Sequence, residues 1–155
     1  MATALITLAR AGGLQVQATS RDEGKRARAL EIGAHHVFET GARLPERVDA
    51  VMETVGAATW THSLRSLRPG GTVVISGATS GPNPDLTELN RIFFLQLRVI
   101  GSTMGTRAEL AQLVSLLDAT GTTPLVDRVL PMTEAREGFA AMESGDVFGK
   151  VVFTR

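Results

Sequence analysis

The sequence predicts an α/β fold in which a mostly parallel sheet carries helices on both faces. Strand-like apolar runs alternate with amphipathic, helix-like runs along the whole chain, and short glycine-bearing turns separate them. One run, VDAVMETVG at 48–56, is almost continuously apolar, which is typical of a parallel strand buried on both faces. This alternation builds βαβ units, and 155 residues with 43% hydrophobic side chains suit one domain.

The elements predicted up to residue 67 are a helix at 1–11, a strand at 14–19, a helix at 22–32, strands at 35–39 and 48–56, and a helix at 57–67. The first helix is rich in strong helix formers, and Gly12-Gly13 ends it in the usual carboxyl-terminal way. The following strand alternates apolar and polar side chains, as one half-buried face requires. Gly33 closes the second helix.

The elements predicted beyond residue 67 are a sharp turn at 69–71, a strand at 72–77, a helix at 87–96, a strand at 97–102, a helix at 107–119, a strand at 125–130, a helix at 133–143 and a strand at 150–154. Thr106 and Glu109 have the spacing of a capping box at the start of helix 107–119. The predicted turn is the segment Pro69-Gly70-Gly71.

Composition excludes several classes of function. Sixteen basic and sixteen acidic residues cancel, so no charge imbalance favours nucleic acid or an anionic membrane. No apolar run approaches the ~20 residues of a membrane span, and no signal peptide is recognisable, so we expect a cytoplasmic protein. Cysteine is absent, and His35, His36 and His62 lack metal-ligand spacing, so we expect no metal site.

Four segments, in this order, resemble one known family. They are ALEIGAHHVFE, then VDAVMETVGAATWTHSLRSLRPGGTVVISGA, then LRVIGSTMGTRAEL, and finally PLVDRVLPMTEAREGFAAMESGDVFGKVVF. The chain resembles the cofactor-binding domain of the medium-chain dehydrogenase/reductase superfamily, in its quinone oxidoreductase-like and zinc-type alcohol dehydrogenase-like branches. The resemblance implies a Rossmann-type fold, an oxidoreductase activity and a nicotinamide nucleotide cofactor.

The chain also departs from that family pattern at its start. The family begins this domain with a strand and a G-x-G-x-x-G turn, whereas Met1 already lies in what corresponds to the next helix. We therefore expect a domain truncated at the first strand and not catalytically complete. Without the first strand, either strands 14–19 and 49–54 pair directly, or another segment occupies the position of the missing strand in the sheet. Residues from about 122 to 155 correspond to the return that packs on the family's catalytic domain.

The end of the second family strand selects the cofactor, because an acid there favours NAD whereas basic and hydroxyl groups accept the 2′-phosphate of NADP. That position reads Thr19-Ser20-Arg21, with Lys25 one turn into the next helix. We interpret Asp22 as a helix N-cap or a first-turn residue. These residues predict an NADP (NADPH) site.

The resemblance implies further cofactor contacts at the ends of later strands. Val55 and Gly56 would lie beside the nicotinamide-side ribose, Gly77 and Ala78 would line the next loop, and Ser102 and Thr103 would approach the carboxamide. We expect no catalytic residue, because no nucleophile–base pair is recognisable. The family also pairs the strand equivalent to 97–102 across a dimer axis, which implies a homodimer.

Two other functions compete with a cofactor-binding reductase domain. The first is a non-enzymatic dimeric module that keeps the fold and has lost cofactor binding. The expected loss of the glycine loop favours it, because that loop cradles the pyrophosphate. The second is a Rossmann-like methyltransferase, which LRPGGTVVISG suggests. It is disfavoured because no glycine-rich acidic motif precedes the first helix and the other three segments have no counterpart there.

Overall fold

The computed structural model describes residues 1–84 and 88–155. Its helices are α1 (Ala2–Ala11), α2 (Glu23–Glu31), α3 (Ala57–Ser66), α4 (Leu89–Phe94), α5 (Arg107–Thr120) and α6 (Ala135–Ser144). Its strands are β1 (Gln17–Thr19), β2 (His36–Phe38), β3 (Val48–Glu53), β4 (Leu67–Ile75), β5 (Arg98–Gly101), β6 (Val126–Pro131) and β7 (Lys150–Thr154). The chain divides into two compact units, residues 1–37 with 107–155 and residues 38–106, which we call unit 1 and unit 2.

Unit 1 is built around a small apolar core at the start of the chain. Ile6 of α1 packs with Ala29, Ala34 and Phe148, and these four side chains are buried. The glycine pair ends α1 as predicted, with Gly13 at φ +75°. The Leu14 N–H donates to the carbonyl of Ala9, so this residue completes the helix end and β1 starts later than predicted.

The later part of unit 1 contains a parallel strand pair covered by a helix. β6 pairs with β7, with Val129 opposite Val152. A Cβ atom on Gly138 of α6 would lie 2.6 Å from the Phe153 ring of β7, so only glycine lets the helix lie this close. The rings of Phe139 and Phe153 lie 5.7 Å apart. The α6 helix therefore packs directly on β7.

Unit 2 contains a three-stranded parallel sheet in the order β3-β4-β5. Its core is formed by Leu64 and Leu67, together with Val73 and Leu97. The registers place Glu53 opposite Ile75, and Ile75 opposite Gly101, so the three carboxyl ends are aligned. This alignment brings the segments that follow the three strands to one edge of the sheet.

Most predicted elements, and the parallel α/β fold itself, are confirmed, and two details are corrected. Strand 14–19 does not pair with 49–54 among the described residues, because β1 pairs with β2 while β3 pairs with β4. The turn at 69–71 is not a separate connection but a bulge inside β4. Val48 of β3 pairs with Leu67 and Ala50 pairs with Thr72, so one residue of β3 lies opposite the four residues 68–71 of β4.

The middle of the predicted helix at 87–96 is observed as α4, and residues 85–87 lie outside the described part of the chain. Glu88 precedes α4 and is buried, with a side-chain exposure of 5%. Its carboxylate accepts hydrogen bonds from Arg65 at 2.9 Å and from Arg91 at 2.8 Å. This ion-pair cluster fixes the start of α4 against α3.

Candidate functional site

A cavity of about 240 Å³ lies at the carboxyl end of β1, within unit 1. One part of its wall is apolar and includes Ile6, Ala18, Ala29, Val37 and Phe148. The other part is polar and includes Thr19, Ser20, Lys25 and Arg26. Three residues predicted to bind the cofactor, Thr19, Ser20 and Lys25, therefore lie together, whereas Arg21 is exposed and does not line the cavity.

The turn from β1 into α2 is held by its own side chains. Asp22 is the N-cap of α2, and its carboxylate accepts a 2.7 Å hydrogen bond from the Lys25 N–H, which confirms the cap predicted from the sequence. The Ser20 hydroxyl accepts from the Asp22 N–H at 3.2 Å. Asp22, the acid of this turn, is thus hydrogen-bonded to the backbone of α2, and it does not line the cavity.

Two cations stand at the polar part of the cavity. The Lys25 ammonium donates to the carbonyl of Gly145 and keeps two further N–H donors. The Arg26 guanidinium donates to the carbonyl of Ser20 at 2.7 Å, so it is anchored by the same turn. Both side chains are half-buried. Partial burial strengthens the field that such cations exert on an anion.

Phe148 forms the far wall of the cavity and is positioned by a charged cluster. The Arg28 guanidinium carbon lies 4.3 Å from the centroid of the Phe148 ring. The Asp127 carboxylate accepts from the Phe148 N–H at 2.9 Å and from Arg128 at 2.8 Å. The hydrogen bond from Phe148, followed by that from Arg128, lowers the pKa of Asp127 below its usual value.

In unit 2 the predicted residues follow the aligned carboxyl ends of β3, β4 and β5. Val55 and Gly56 follow β3, while Gly77 and Ala78 follow β4. A Cβ atom on Gly77 would lie 2.9 Å from the carbonyl oxygen of Thr54, so the two segments are in close contact. Ser102 follows β5 and donates its N–H to the carbonyl of Ile75 at 2.8 Å, and Thr103 beside it is exposed.

The last residue of β3, Glu53, has a buried carboxylate with four hydrogen-bond donors. The exposed fraction of Glu53 is 3%. One oxygen accepts from the Val55 N–H at 2.7 Å, the Gly56 N–H at 3.1 Å and the Thr59 hydroxyl at 2.8 Å. The other accepts from the Ser63 hydroxyl. Burial alone raises the pKa of Glu53, but these hydrogen bonds, led by that from Ser63, outweigh burial and hold it below its usual value.

The amino terminus of α3 is closed by the loop after β4. Gly56 is the N-cap and supplies no side chain. The Ala57 N–H donates to the carbonyl of Gly81 at 3.0 Å, and the Ala58 N–H donates to the Ser80 hydroxyl at 2.9 Å. These N–H groups have protein partners, so this helix end does not offer them to a phosphate.

Sequence reasoning missed four residues of these two regions. Arg26 and Phe148 line the cavity, whereas Glu53 and Ser80 organise the turn after β3. The signal for Glu53 was present, because an acid inside an almost continuous apolar run must find buried donors. No comparable signal marked Arg26 or Phe148.

Neither a metal centre nor a membrane span is found in the described part of the chain. Within residues 1–84 and 88–155, no three His, Cys, Asp or Glu side chains are grouped so that they could hold a metal ion. His35 accepts from the Val16 N–H at its Nδ1, and the His62 Nε2 donates to the carbonyl of Ala42. None of the described helices is long and apolar enough to cross a membrane.

Parallel strands whose carboxyl ends carry glycine-bearing turns define a Rossmann-like α/β fold. The sequence profile of the family described as zinc-binding dehydrogenase matches residues 1–119, and the chain belongs to this family. The predicted membership of the medium-chain dehydrogenase/reductase superfamily, a superfamily of oxidoreductases, is thereby confirmed.

Known relatives agree with this assignment. The zinc-type alcohol dehydrogenase-like protein YogA of Leptosphaeria maculans is 31% identical over 158 residues, which cover 90% of this chain and 44% of that protein. A crystal structure described as an NAD-dependent alcohol dehydrogenase matches with a TM-score of 0.88 at 30% identity, covering 99% of this chain and 47% of that one.

A mycobacterial protein complexed with NADPH matches with a TM-score of 0.82 at 23% identity, covering 99% of this chain and 52% of that one. At this identity the match shows the fold alone. The chain therefore spans about half the length of these three proteins, from 44% to 52%.

Proposed function

We propose that this chain is the NADP(H)-binding part of a medium-chain oxidoreductase, and that the cavity of unit 1 holds the adenosine end of the nucleotide. One observation carries the proposal. The cavity combines an apolar wall with Lys25 and Arg26, and no carboxylate is among its described lining residues. An adenine ring suits the apolar part, and the 2′-phosphate suits the cationic part.

The size of the cavity supports an occupant of this kind. Whole ligands of drug size usually occupy about 300–1,000 Å³, whereas this cavity measures about 240 Å³. Its volume thus suits one end of a dinucleotide rather than the complete molecule. Ser20 provides a hydroxyl at the strand end, where an NAD-binding protein has an acid.

The relatives support a nicotinamide nucleotide without selecting one form of it. The name of one structural neighbour specifies NAD dependence, and another neighbour holds NADPH. The preference for NADP therefore rests on the chemistry of this chain. We propose that Ser20 and Lys25, which line the cavity, and the neighbouring exposed Arg21 recognise the extra phosphate.

For unit 2 we propose the role of holding the nicotinamide side. The residues concerned follow three aligned strand ends and are Val55, Gly56, Gly77, Ala78, Ser102 and Thr103. When bound, the nicotinamide group supplies hydride transfer. We assign no catalytic residue to this chain, and we propose that a quinone, an enone or an alcohol is the substrate of the whole enzyme. Units 1 and 2 are proposed to belong to one nucleotide-binding domain.

Calorimetric titration with NADPH and with NADH tests the proposal. We expect saturable binding that favours NADPH by about tenfold or more, because a phosphate that pairs with two cations contributes charge-assisted hydrogen bonds. Lys25→Ala combined with Arg26→Ala, which removes both cations that line the cavity, should remove most of the preference. Arg136→Ala, an exposed arginine of α6 in the same unit, is the matched control and should leave it unchanged. Equal binding of both nucleotides contradicts the NADP assignment.

A second candidate function is a non-enzymatic dimeric module, and one observation favours it. β5 is an outer strand of its described sheet, and Val99 and Ile100 on it are 44% and 47% exposed. The neighbouring Phe93 and Phe94 rings are also exposed and lie 4.5 Å apart. An apolar outer strand of this kind pairs readily with a second copy.

We propose a homodimer through residues 97–102 for either function. Light scattering at micromolar concentration should therefore give twice the monomer mass. Val99→Lys should give the monomer. A monomeric wild-type chain contradicts the dimer, and a dimer that binds neither nucleotide favours the non-enzymatic module.

A further inference from the structure

Glu53 is a buried acid that hydride transfer does not use. Its carboxylate lies at the carboxyl end of β3, directly before the turn that we assign to the nicotinamide side. Burying a carboxylate is costly unless its oxygens accept hydrogen bonds. The four donors around it, two backbone N–H groups and two hydroxyls, satisfy this condition.

The two backbone donors belong to the candidate binding turn itself. The same carboxylate oxygen accepts from the N–H of Val55 and the N–H of Gly56. Gly56 has φ +91°, a conformation that other residues rarely adopt. Glycine adopts positive and negative φ about equally readily, so contacts rather than the residue itself select this conformation, and the Glu53 carboxylate supplies two of them.

The two side-chain donors connect this carboxylate to α3. Thr59 lies in the first turn of the helix and Ser63 one turn later, so both hydroxyls point to the same side. The carboxylate is thus fixed by the helix on one side and fixes the turn on the other.

From this arrangement we infer that Glu53 is a positioning residue, which holds the Val55–Gly56 backbone in the geometry that receives the nicotinamide end of the cofactor. The inference rests on the proposed function and extends it. Glu53 itself contacts no cofactor atom in this account. Glu53 acts through the two hydrogen bonds that it accepts from the turn N–H groups. These bonds fix the position of Val55.

Three variants separate this role from a general structural role. Glu53→Ala leaves both N–H groups without their acceptor. Glu53→Gln keeps one carbonyl oxygen of the same reach, so it should restore the turn if hydrogen-bond acceptance is what matters. Ser66→Ala is the matched control, because it removes a buried α3 hydroxyl that donates to the His62 carbonyl and not to Glu53.

The primary readout is the ratio of the affinities for NADPH and for adenosine 2′,5′-bisphosphate, which lacks the nicotinamide end. Glu53→Ala should lower this ratio by about tenfold or more, since displaced binding groups cost one to two orders of magnitude. Glu53→Gln should recover most of it, and the control Ser66→Ala should keep it within about twofold. An unchanged ratio in Glu53→Ala overturns the inference while leaving the proposed function intact.

Amide hydrogen exchange in the wild-type chain gives a second test that needs no variant to fold. The Val55 and Gly56 amides should exchange at least about tenfold more slowly than the exposed amide of Ala78, because protection follows hydrogen bonding. Equal exchange overturns the inference. A wild-type chain that binds neither NADPH nor the bisphosphate contradicts the proposed function, and the positioning role fails with it.

Discussion

The turns that lead from β1 into α2 and from β3 into α3 have the same position in a βα unit, yet they are stabilised in different ways. The first is capped from within, because Asp22 accepts the Lys25 N–H only three residues away. The second has glycine at its N-cap. Its first two N–H groups bind the nearby Glu53 carboxylate, whereas the next two bind Gly81 and Ser80, more than twenty residues further along the chain. One turn is therefore determined locally, and the other by a local carboxylate together with tertiary contacts.

The difference indicates how each turn can receive a ligand. At α2 the local cap leaves two half-buried cations beside a cavity, so charge is available to an anionic group. At α3 the Glu53 carboxylate already accepts the hydrogen bonds of the turn N–H groups. The turn therefore presents a rigid backbone to a ligand and no free cation. We expect the first to determine nucleotide preference and the second to determine ligand geometry.

The largest loss in the free energy of unfolding should come from removing the Glu53 carboxylate, which accepts the hydrogen bonds of the second turn. Glu53→Ala leaves two turn N–H groups and the Ser63 hydroxyl without this acceptor, while the Thr59 hydroxyl keeps a 3.4 Å contact to the Gly56 carbonyl. We expect a loss of about 3 kcal/mol in the free energy of unfolding. Urea denaturation at neutral pH measures this loss. Glu53→Gln should lose much less. A loss below about 1 kcal/mol in Glu53→Ala would show that water replaces the carboxylate at little cost.

A smaller loss in the free energy of unfolding is expected from substituting Gly56, the glycine of the second turn. A Cβ atom on Gly56 would lie 2.6 Å from the carbonyl oxygen of Gly81, and φ is +91°. Gly56→Ala should therefore cost about 2 kcal/mol. Gly41 is the matched control, because its φ is +87° and a Cβ atom there would have nothing within 4 Å. Gly41→Ala should cost only about 1 kcal/mol, and equal losses would remove the steric argument.

Removing the cap of the first turn should lower the free energy of unfolding less than either change in the second turn. Asp22→Ala deletes one exposed side-chain cap, which costs about 1 kcal/mol in a typical helix. Thermal unfolding of this variant, compared with Asp22→Asn, measures the loss. The asparagine variant should stay close to the wild type, since it also caps helices well. A loss in Asp22→Ala larger than that in Glu53→Ala would reverse the comparison.

The weakest expected effect is a pH dependence at the wall of the unit 1 cavity. The pKa of Asp127 is lowered by the Phe148 N–H and by Arg128, with Arg28 also nearby and Asp146 beyond Arg128. A depressed carboxyl pKa adds stability that is complete above its ordinary value near 4 and is lost as pH falls through the folded-state value.

Unfolding free energies of the wild type and of Asp127→Asn, measured between neutral pH and about pH 3, should therefore converge as the pH falls. The acid response of Glu53 is common to both proteins and cancels in the difference. The exposed Asp118→Asn, in α5, controls for losing a surface carboxylate. A difference that stays constant over this range contradicts the role given to Asp127.

The parallel α/β fold and the cap at Asp22 could be predicted from the sequence because they depend on local patterns. Periodicity determines strands and helices, and a cap lies three residues from its donor. The bulge inside β4 could not be predicted, because it depends on which residues of β3 lie opposite. Arg26 was missed for the same kind of reason, since its contact with the Ser20 carbonyl requires the path of the turn.

The most direct test of the NADP assignment compares two ligands that differ by one phosphate, adenosine 2′,5′-bisphosphate and adenosine 5′-monophosphate. Calorimetry at low salt should show the bisphosphate binding about tenfold or more tightly, and added salt should reduce this preference because part of it is electrostatic. Equal affinities at low salt would contradict the account, because the cations beside Ser20 would then not recognise a 2′-phosphate.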